Sequence, residues 1–166
     1  MIYYSRTGNT KKIAKILEEK LKEKNNEIEL IEIEHVKKPG FFKAGKASVK
    51  QLELPIKNTD FNMEKYDTII LGTPTWAGKP SPFMKSYLNK AENIKGKKIA
   101  IFGTGMSPIN KRDQFIEIMR NNLENIGIKT DDNYLFLNFS RGQLKDGEQN
   151  IDNFIKNVLQ TKNITT

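Results

Sequence analysis

Cysteine is absent from the 166 residues, and that absence removes disulfides, thiolate nucleophiles, zinc fingers and cysteine-held iron–sulfur clusters together. Histidine is nearly absent too. With His35 alone, neither a multi-histidine metal site nor a Ser-His-Asp triad has the material it needs. No apolar run reaches the roughly 18 residues that span a bilayer, so no membrane role is expected. The opening Met1-Ile2-Tyr3-Tyr4-Ser5-Arg6 lacks the apolar stretch of a secretory signal, which points to the cytoplasm. Any redox chemistry would have to be carried by an organic cofactor.

What remains is ordinary in bulk: 37% hydrophobic and 29% charged residues suit a soluble globular chain, and the length predicts a single domain over 1–166. The net charge is +8. Such a surplus favours acidic partners or anionic surfaces. The lysines are interspersed with glutamates, as in Glu18-Glu19-Lys20-Leu21-Lys22-Glu23-Lys24, and the denser runs lack interleaved aromatics. Solvated faces are therefore favoured over a nucleic-acid role.

Strand-like and helix-like segments alternate along the chain. Met1–Ser5 begins as a short strand, and Ile13, Ile16, Leu17 and Leu21 recur at helical spacing until Asn25-Asn26. Glu27–Ile33 alternates as a half-buried strand. Thr68–Leu71 is a short apolar run stopped by Gly72 and Pro74, and Pro82 opens a helix. Lys98–Phe102 reads as a buried strand closed by Gly103. Phe115, Ile118, Met119 and Leu123 stripe a helix that Gly127 ends. Tyr134–Phe139 is a last strand, followed by a helix carrying Ile151, Phe154, Ile155, Val158 and Leu159. The stretch between His35 and Asn62 is irregular, with one helix expected near Ala44–Leu52. This rhythm predicts an α/β fold: three layers around a doubly wound, five-stranded parallel sheet of order 2-1-3-4-5.

In such a sheet ligands bind beyond the carboxyl ends of the strands, where strand order reverses. The residues that follow the first, third and fourth strands are therefore the informative ones. Ser5-Arg6-Thr7-Gly8-Asn9-Thr10 brings three hydroxyls and a glycine to a helix start, where backbone N–H groups and the helix dipole attract an anion. Arg6 belongs to this loop with its side chain expected toward solvent. The plainer alternative, that Thr10 merely caps the helix, stands level with the phosphate reading.

Thr73-Pro74-Thr75-Trp76-Ala77-Gly78 presents the only tryptophan on a constrained loop, suited to stack on a planar ring. Gly103-Thr104-Gly105-Met106-Ser107-Pro108 supplies small residues and free amides for the polar edge of a heterocycle. Taken singly, Trp76 as a core residue and the third segment as a turn are the stronger readings. Together the three describe a site for a phosphorylated planar ring. Rival phosphate motifs fail: Gly72 to Gly78 is one residue too long for a P-loop, and Gly103-Thr104-Gly105 lacks the third glycine of a dinucleotide fingerprint.

Tyr3-Tyr4-Ser5-Arg6-Thr7-Gly8-Asn9-Thr10 resembles the FMN-phosphate loop of the flavodoxin family. Tyr66–Trp76 is similar to its third strand and flavin loop, and Lys97–Gly105 to its fourth strand and second flavin loop. The resemblance implies a flavodoxin-like domain that holds FMN non-covalently and moves electrons. Ser5, Arg6, Thr7, Gly8, Asn9 and Thr10 would surround the phosphate. Thr73, Pro74, Thr75, Trp76, Ala77 and Gly78 would border the isoalloxazine, and Gly103, Thr104 and Gly105 its pyrimidine edge. The family's peptide flip beside flavin N5 would fall at Ala77-Gly78.

Three departures from that family stand out. Gly103–Arg112 has no aromatic, which leaves the outer flavin face open, and the charge is basic where flavodoxins are acidic. The segment Pro39–Gly45 replaces a regular second helix, with Phe41 and Phe42 expected in the core. The resemblance implies an electron shuttle serving redox partner proteins. The alternative is an NAD(P)H-dependent flavin or quinone reductase, and whether the chain is an enzyme stays open between them. The oligomeric state, a homodimer included, also stays open.

Overall fold

The computed structural model describes residues 1–106, 109–130, 133–145 and 148–160. Its order is β1 (Ile2–Tyr3), α1 (Asn9–Lys22), β2 (Ile31–Glu32), α2 (Phe41–Val49), β3 (Thr68–Trp76), β4 (Lys79–Pro80), α3 (Pro82–Leu88), β5 (Lys98–Gly105), α4 (Ile109–Glu124), β6 (Tyr134–Ser140), β7 (Gln143–Leu144) and α5 (Glu148–Leu159). The sheet runs β2-β1-β3-β5-β6, all parallel. This is the expected 2-1-3-4-5 order. Two short antiparallel ribbons, β4 on β3 and β7 on β6, are added at the carboxyl ends.

The two-residue period of a strand divides the core. Ile2, Tyr4, Ile69, Leu71, Ile99 and Ile101 face one layer, where Phe83, Met84 and Tyr87 of α3 and Phe115 and Met119 of α4 meet them. Tyr3, Ile70, Ala100 and Phe102 face the other, against Ile13 and Leu17 of α1 and Ile151, Phe154 and Ile155 of α5. Because both faces are covered, β3 and β5 read as unbroken apolar runs rather than as alternation. Gly72 has a specific packing reason here, since a Cβ on it would run into the Phe102 ring.

Several sequence expectations needed adjustment. β5 is not closed by Gly103 but runs on to Gly105, paired with β3 and β6. Regular pairing in β2 is confined to Ile31–Glu32 because β1 offers only Ile2 and Tyr3, with the Ile31 and Ile33 amides donating to Met1 and Tyr3 carbonyls at 2.8 and 2.7 Å. β3 passes straight through Gly72 and Pro74 to Trp76. Its bond to β1 ends where the Tyr4 amide donates to the Gly72 carbonyl, so Pro74 lies on an edge that requires no donor. The second helix begins at Phe41, three residues earlier than read.

Phe41 and Phe42 are not core residues. They stand 80% and 97% exposed. α2 buries only Ala44, Ala47 and Ser48, and the Phe41 ring in its first turn lies against the Arg6 guanidinium. No helix among the described residues is long and apolar enough to cross a membrane.

Candidate functional site

The carboxyl ends of β1, β3 and β5 come together as the sequence implied. α1 is capped by Gly8, in the left-handed region at φ 91°, with no side-chain cap bond. Only glycine adopts that angle without strain. Thr10 is therefore not the cap; it is the second residue of the helix. Ser5 Oγ accepts the Lys11 amide at 3.2 Å, and the Lys12 amide reaches the Gly8 carbonyl at 2.8 Å. The amides of residues 6 to 10 take no hydrogen-bond partner among the described residues. They form a ring of spare donors at the positive end of a 14-residue helix.

Thr104 laces the three loops together. Its hydroxyl lies 2.8 Å from that of Thr10, both side chains buried, and its carbonyl accepts a long 3.5 Å bond from Thr75 Oγ1. Gly105 is required by this lacing, because a Cβ there would strike the Thr75 side chain. Gly103 is equally confined: its Cβ would stand 2.8 Å from both the Phe115 and Phe136 rings. Thr73 is fully buried and committed locally, accepting the Ser81 amide at 3.1 Å and so fixing the start of α3. Met106 is exposed beyond β5. Ser107 and Pro108 lie outside the described residues.

The second loop is a hairpin. Trp76 pairs with Lys79 across Ala77-Gly78, whose φ angles of 53° and 77° make a two-residue turn of the I′ kind. α2 is bolted to this hairpin by Ser48 Oγ, placed 3.0 Å from the Trp76 carbonyl and 2.9 Å from that of Pro80. The stem of Lys111 on α4 covers Gly78 from the other side, 3.5 Å from where a Cβ would be. Trp76 itself is half-buried, edge-on to Tyr4 at 5.7 Å and to Phe83 at 6.0 Å. It is braced by the core without being enclosed in it.

Arg6 does not turn to solvent. Its guanidinium lies 5.2 Å from the Trp76 ring centre and 4.6 Å from that of Phe41, and Nη2 donates to the Pro39 carbonyl at 3.0 Å. Cation–π attraction to two rings favours this placement of the guanidinium. Nη1 is buried and unpartnered among the described residues, as is the Tyr4 hydroxyl. Burial raises the Tyr4 pKa, with the neighbouring Arg6 charge opposing that rise. Spare amides, a bare left-handed glycine and an orphaned guanidinium donor around one tryptophan fit a phosphorylated, polar-edged ring. Lys111 and the Arg6–Phe41 stack were missed in the sequence because both arise from segments distant along the chain. The lysine that α4 presents carried no local signal.

A hollow of about 730 Å³ lies at the opposite edge of the sheet, between Asn25–Glu29 and Lys65–Thr68. Strand direction places it at the amino ends, away from all three loops. No cluster of three metal-ligating side chains exists among the described residues.

Known proteins share this fold. The family model described as NADPH-dependent FMN reductase matches residues 4–126. A flavodoxin of Clostridium saccharobutylicum is 28% identical over 109 residues, covering 64% of this chain and 55% of that protein. The chain thus spans about half the length of that curated relative. A flavoprotein in complex with FMN from Lactobacillus acidophilus superposes with a TM-score of 0.65 at 21% identity, over 92% of this chain and 95% of that one. Oxidised flavodoxin 2 from Bacillus cereus gives 0.60 at 24%, over 93% of each. The fold is flavodoxin-like, the chain belongs to the NADPH-dependent FMN reductase family, and its cofactor is FMN.

Proposed function

We propose that this member of the NADPH-dependent FMN reductase family is an electron-transfer protein that holds FMN non-covalently across the three Thr104-linked loops. FMN, when bound, supplies reversible one- and two-electron chemistry. The observation that carries the reading is the lacing itself: Thr104 joins the phosphate-type helix start to the Trp76 hairpin. In this reading the amides of residues 6 to 10, with Ser5, Thr7 and Asn9, hold the phosphate. Trp76 flanks the ring from the hairpin, with Pro74, Thr75, Ala77 and Gly78 around it, and Gly103, Thr104 and Gly105 line the polar edge. Thr10 and Thr73 serve by fixing these loops. Arg6 keeps a permanent positive charge beside the ring, and Lys111 shields the hairpin tip from water. The three loops bring no titratable acid or base except Arg6, so electron exchange asks nothing further of them.

A second reading, direct reduction by NADPH, is favoured by the family match and by the aromatic-free end of β5, beyond which Met106 is exposed. Anaerobic mixing of the FMN-loaded protein with NADPH separates the two. A shuttle leaves the yellow absorbance unchanged over minutes, whereas rapid bleaching with turnover on quinones makes the protein a reductase. A protein that takes up no FMN would overturn both readings.

A further inference from the structure

We infer that the amino-terminal half of α2 and the loop before it form a docking surface for a small acidic electron-carrier protein. This proposal rests on the electron-transfer reading above. Residues 35–52 contain Lys37, Lys38, Lys43, Lys46 and Lys50 and no aspartate or glutamate, which concentrates five positive charges in a chain whose net charge is +8. All five are exposed, and none pairs with a carboxylate among the described residues. Among them stand Phe42 at 97% exposure, Phe41 at 80% and Val36 at 58%. Large apolar side chains ringed by charge of one sign form the anchor-and-rim composition of a protein interface.

Position identifies the occupant. The patch continues into the cofactor loops through a single stack, Phe41 to Arg6 to Trp76, at 4.6 and 5.2 Å. Whatever covers the patch therefore sits beside the ring site. The platform is anchored at its far end: Ser48 ties α2 to the hairpin, and the Lys85 ammonium donates to the Gln51 carbonyl at 2.8 Å. A second copy of this chain cannot be the occupant in a two-fold contact, because that would oppose the same lysines. An acidic protein meets the charge, and a redox centre in it would explain why the patch adjoins the loops. A bare anionic lipid surface would satisfy the lysines but would have no use for that adjacency.

The test uses oxidised plant-type ferredoxin, a small acidic iron–sulfur protein, as probe. Calorimetry is run with both FMN-loaded and FMN-free protein. Expected is binding in both forms that weakens about tenfold or more between about 20 and 200 mM salt. K37E/K38E/K43E should lose at least about tenfold in affinity, the scale of a charge-steered contact. F42S should lose several-fold while keeping the salt slope. The charge-matched control K24E/K95E/K129E should bind as wild type does.

Failure of wild type to bind, or equal loss in the control, overturns the proposal. So does tighter wild-type binding to phosphatidylserine vesicles than to ferredoxin, with the same loss in K37E/K38E/K43E, since that outcome assigns the patch to a membrane. FMN titration of the same samples keeps the two readings apart. Lack of FMN uptake sinks the cofactor reading, while the FMN-free arm still reports on docking.

Discussion

Thr10 and Thr104 stand 94 positions apart in the chain, yet their hydroxyls meet at 2.8 Å in a place closed to water. Each is the other's partner, so replacing one leaves a buried hydroxyl with nothing to bond, at a cost of about 1–3 kcal/mol. Replacing both removes the need along with the bond. Thr10→Val and Thr104→Val should each lower the urea-unfolding free energy by that amount, and the double variant should lose clearly less than the sum. Strict additivity would mean the two hydroxyls do not depend on each other.

Thr7 is exposed on the same loop and bonded to nothing among the described residues, so its hydroxyl is free for a ligand. Thr7→Ala should weaken FMN binding by roughly 1.5–3 kcal/mol, the worth of a hydrogen bond to a charged group, and leave riboflavin binding unchanged. Flavin fluorescence quenching measures both. Equal losses for the two ligands would remove the phosphate from this loop.

The alternation of strands and helices and the sheet order were legible because hydrophobic period reports directly on which faces are buried. Phe83, Met119 and Phe154 all lie in the core that their stripes implied. The convergence of the three loops was legible because strand direction fixes which ends meet. Contacts decided by geometry at the loop tips were not. The β3–β4 and β6–β7 hairpins turn on Ala77-Gly78 and Arg141-Gly142, where a non-glycine residue carries positive φ against its own preference and no Asn-Gly or Asp-Gly flags the turn. Phe41 and Phe42 look like core residues in any pattern that counts only hydrophobicity. Their exposure follows from the face α2 buries, Ala44, Ala47 and Ser48, which lies against the hairpin through Ser48 and leaves Phe41 and Phe42 outside.

Ala77 offers a direct test of that hairpin. At φ 53° an alanine bears a left-handed penalty of about 1 kcal/mol that glycine escapes. Ala77→Gly should therefore keep or slightly raise stability in spite of the added chain entropy. Gly78→Ala should lower it by about 1 kcal/mol, because φ there is 77°. Urea denaturation monitored by Trp76 fluorescence reads the hairpin itself. Loss on Ala77→Gly equal to that on Gly78→Ala would contradict the I′ turn.

Alkaline pH should unfold the protein through its buried phenols. Burial pushes Tyr87 up to about 12, with Asp60 adding to the rise, and burial raises Tyr3 further with help from Glu32. The folded state therefore holds these protons more tightly than the unfolded chain, whose phenols titrate near 10. Stability from this source is complete below about pH 10 and falls as pH climbs from about 10 toward 12. Melting temperature should be flat on the neutral side and drop steeply above about pH 10. Tyrosinate absorbance at 295 nm from these residues should appear together with unfolding; its appearance in the still-folded protein would contradict their burial.

Arg6 sets the electrostatic tone of the site, and its replacement tests where the flavin lies. The guanidinium is held by Phe41, Trp76 and the Pro39 carbonyl, so its charge is fixed in place. Reduced flavin at neutral pH is anionic, and a cation roughly 8–15 Å from it in a medium of effective dielectric near 20 contributes about 1–2 kcal/mol. Arg6→Gln should therefore make the two-electron midpoint potential more negative by some tens of millivolts. Arg6→Lys should recover part of the shift, since the charge survives while the planar stack does not. A spectroelectrochemical titration decides the matter. An unchanged potential in Arg6→Gln would place the ring away from Trp76, and with it the assignment of the second loop would fall.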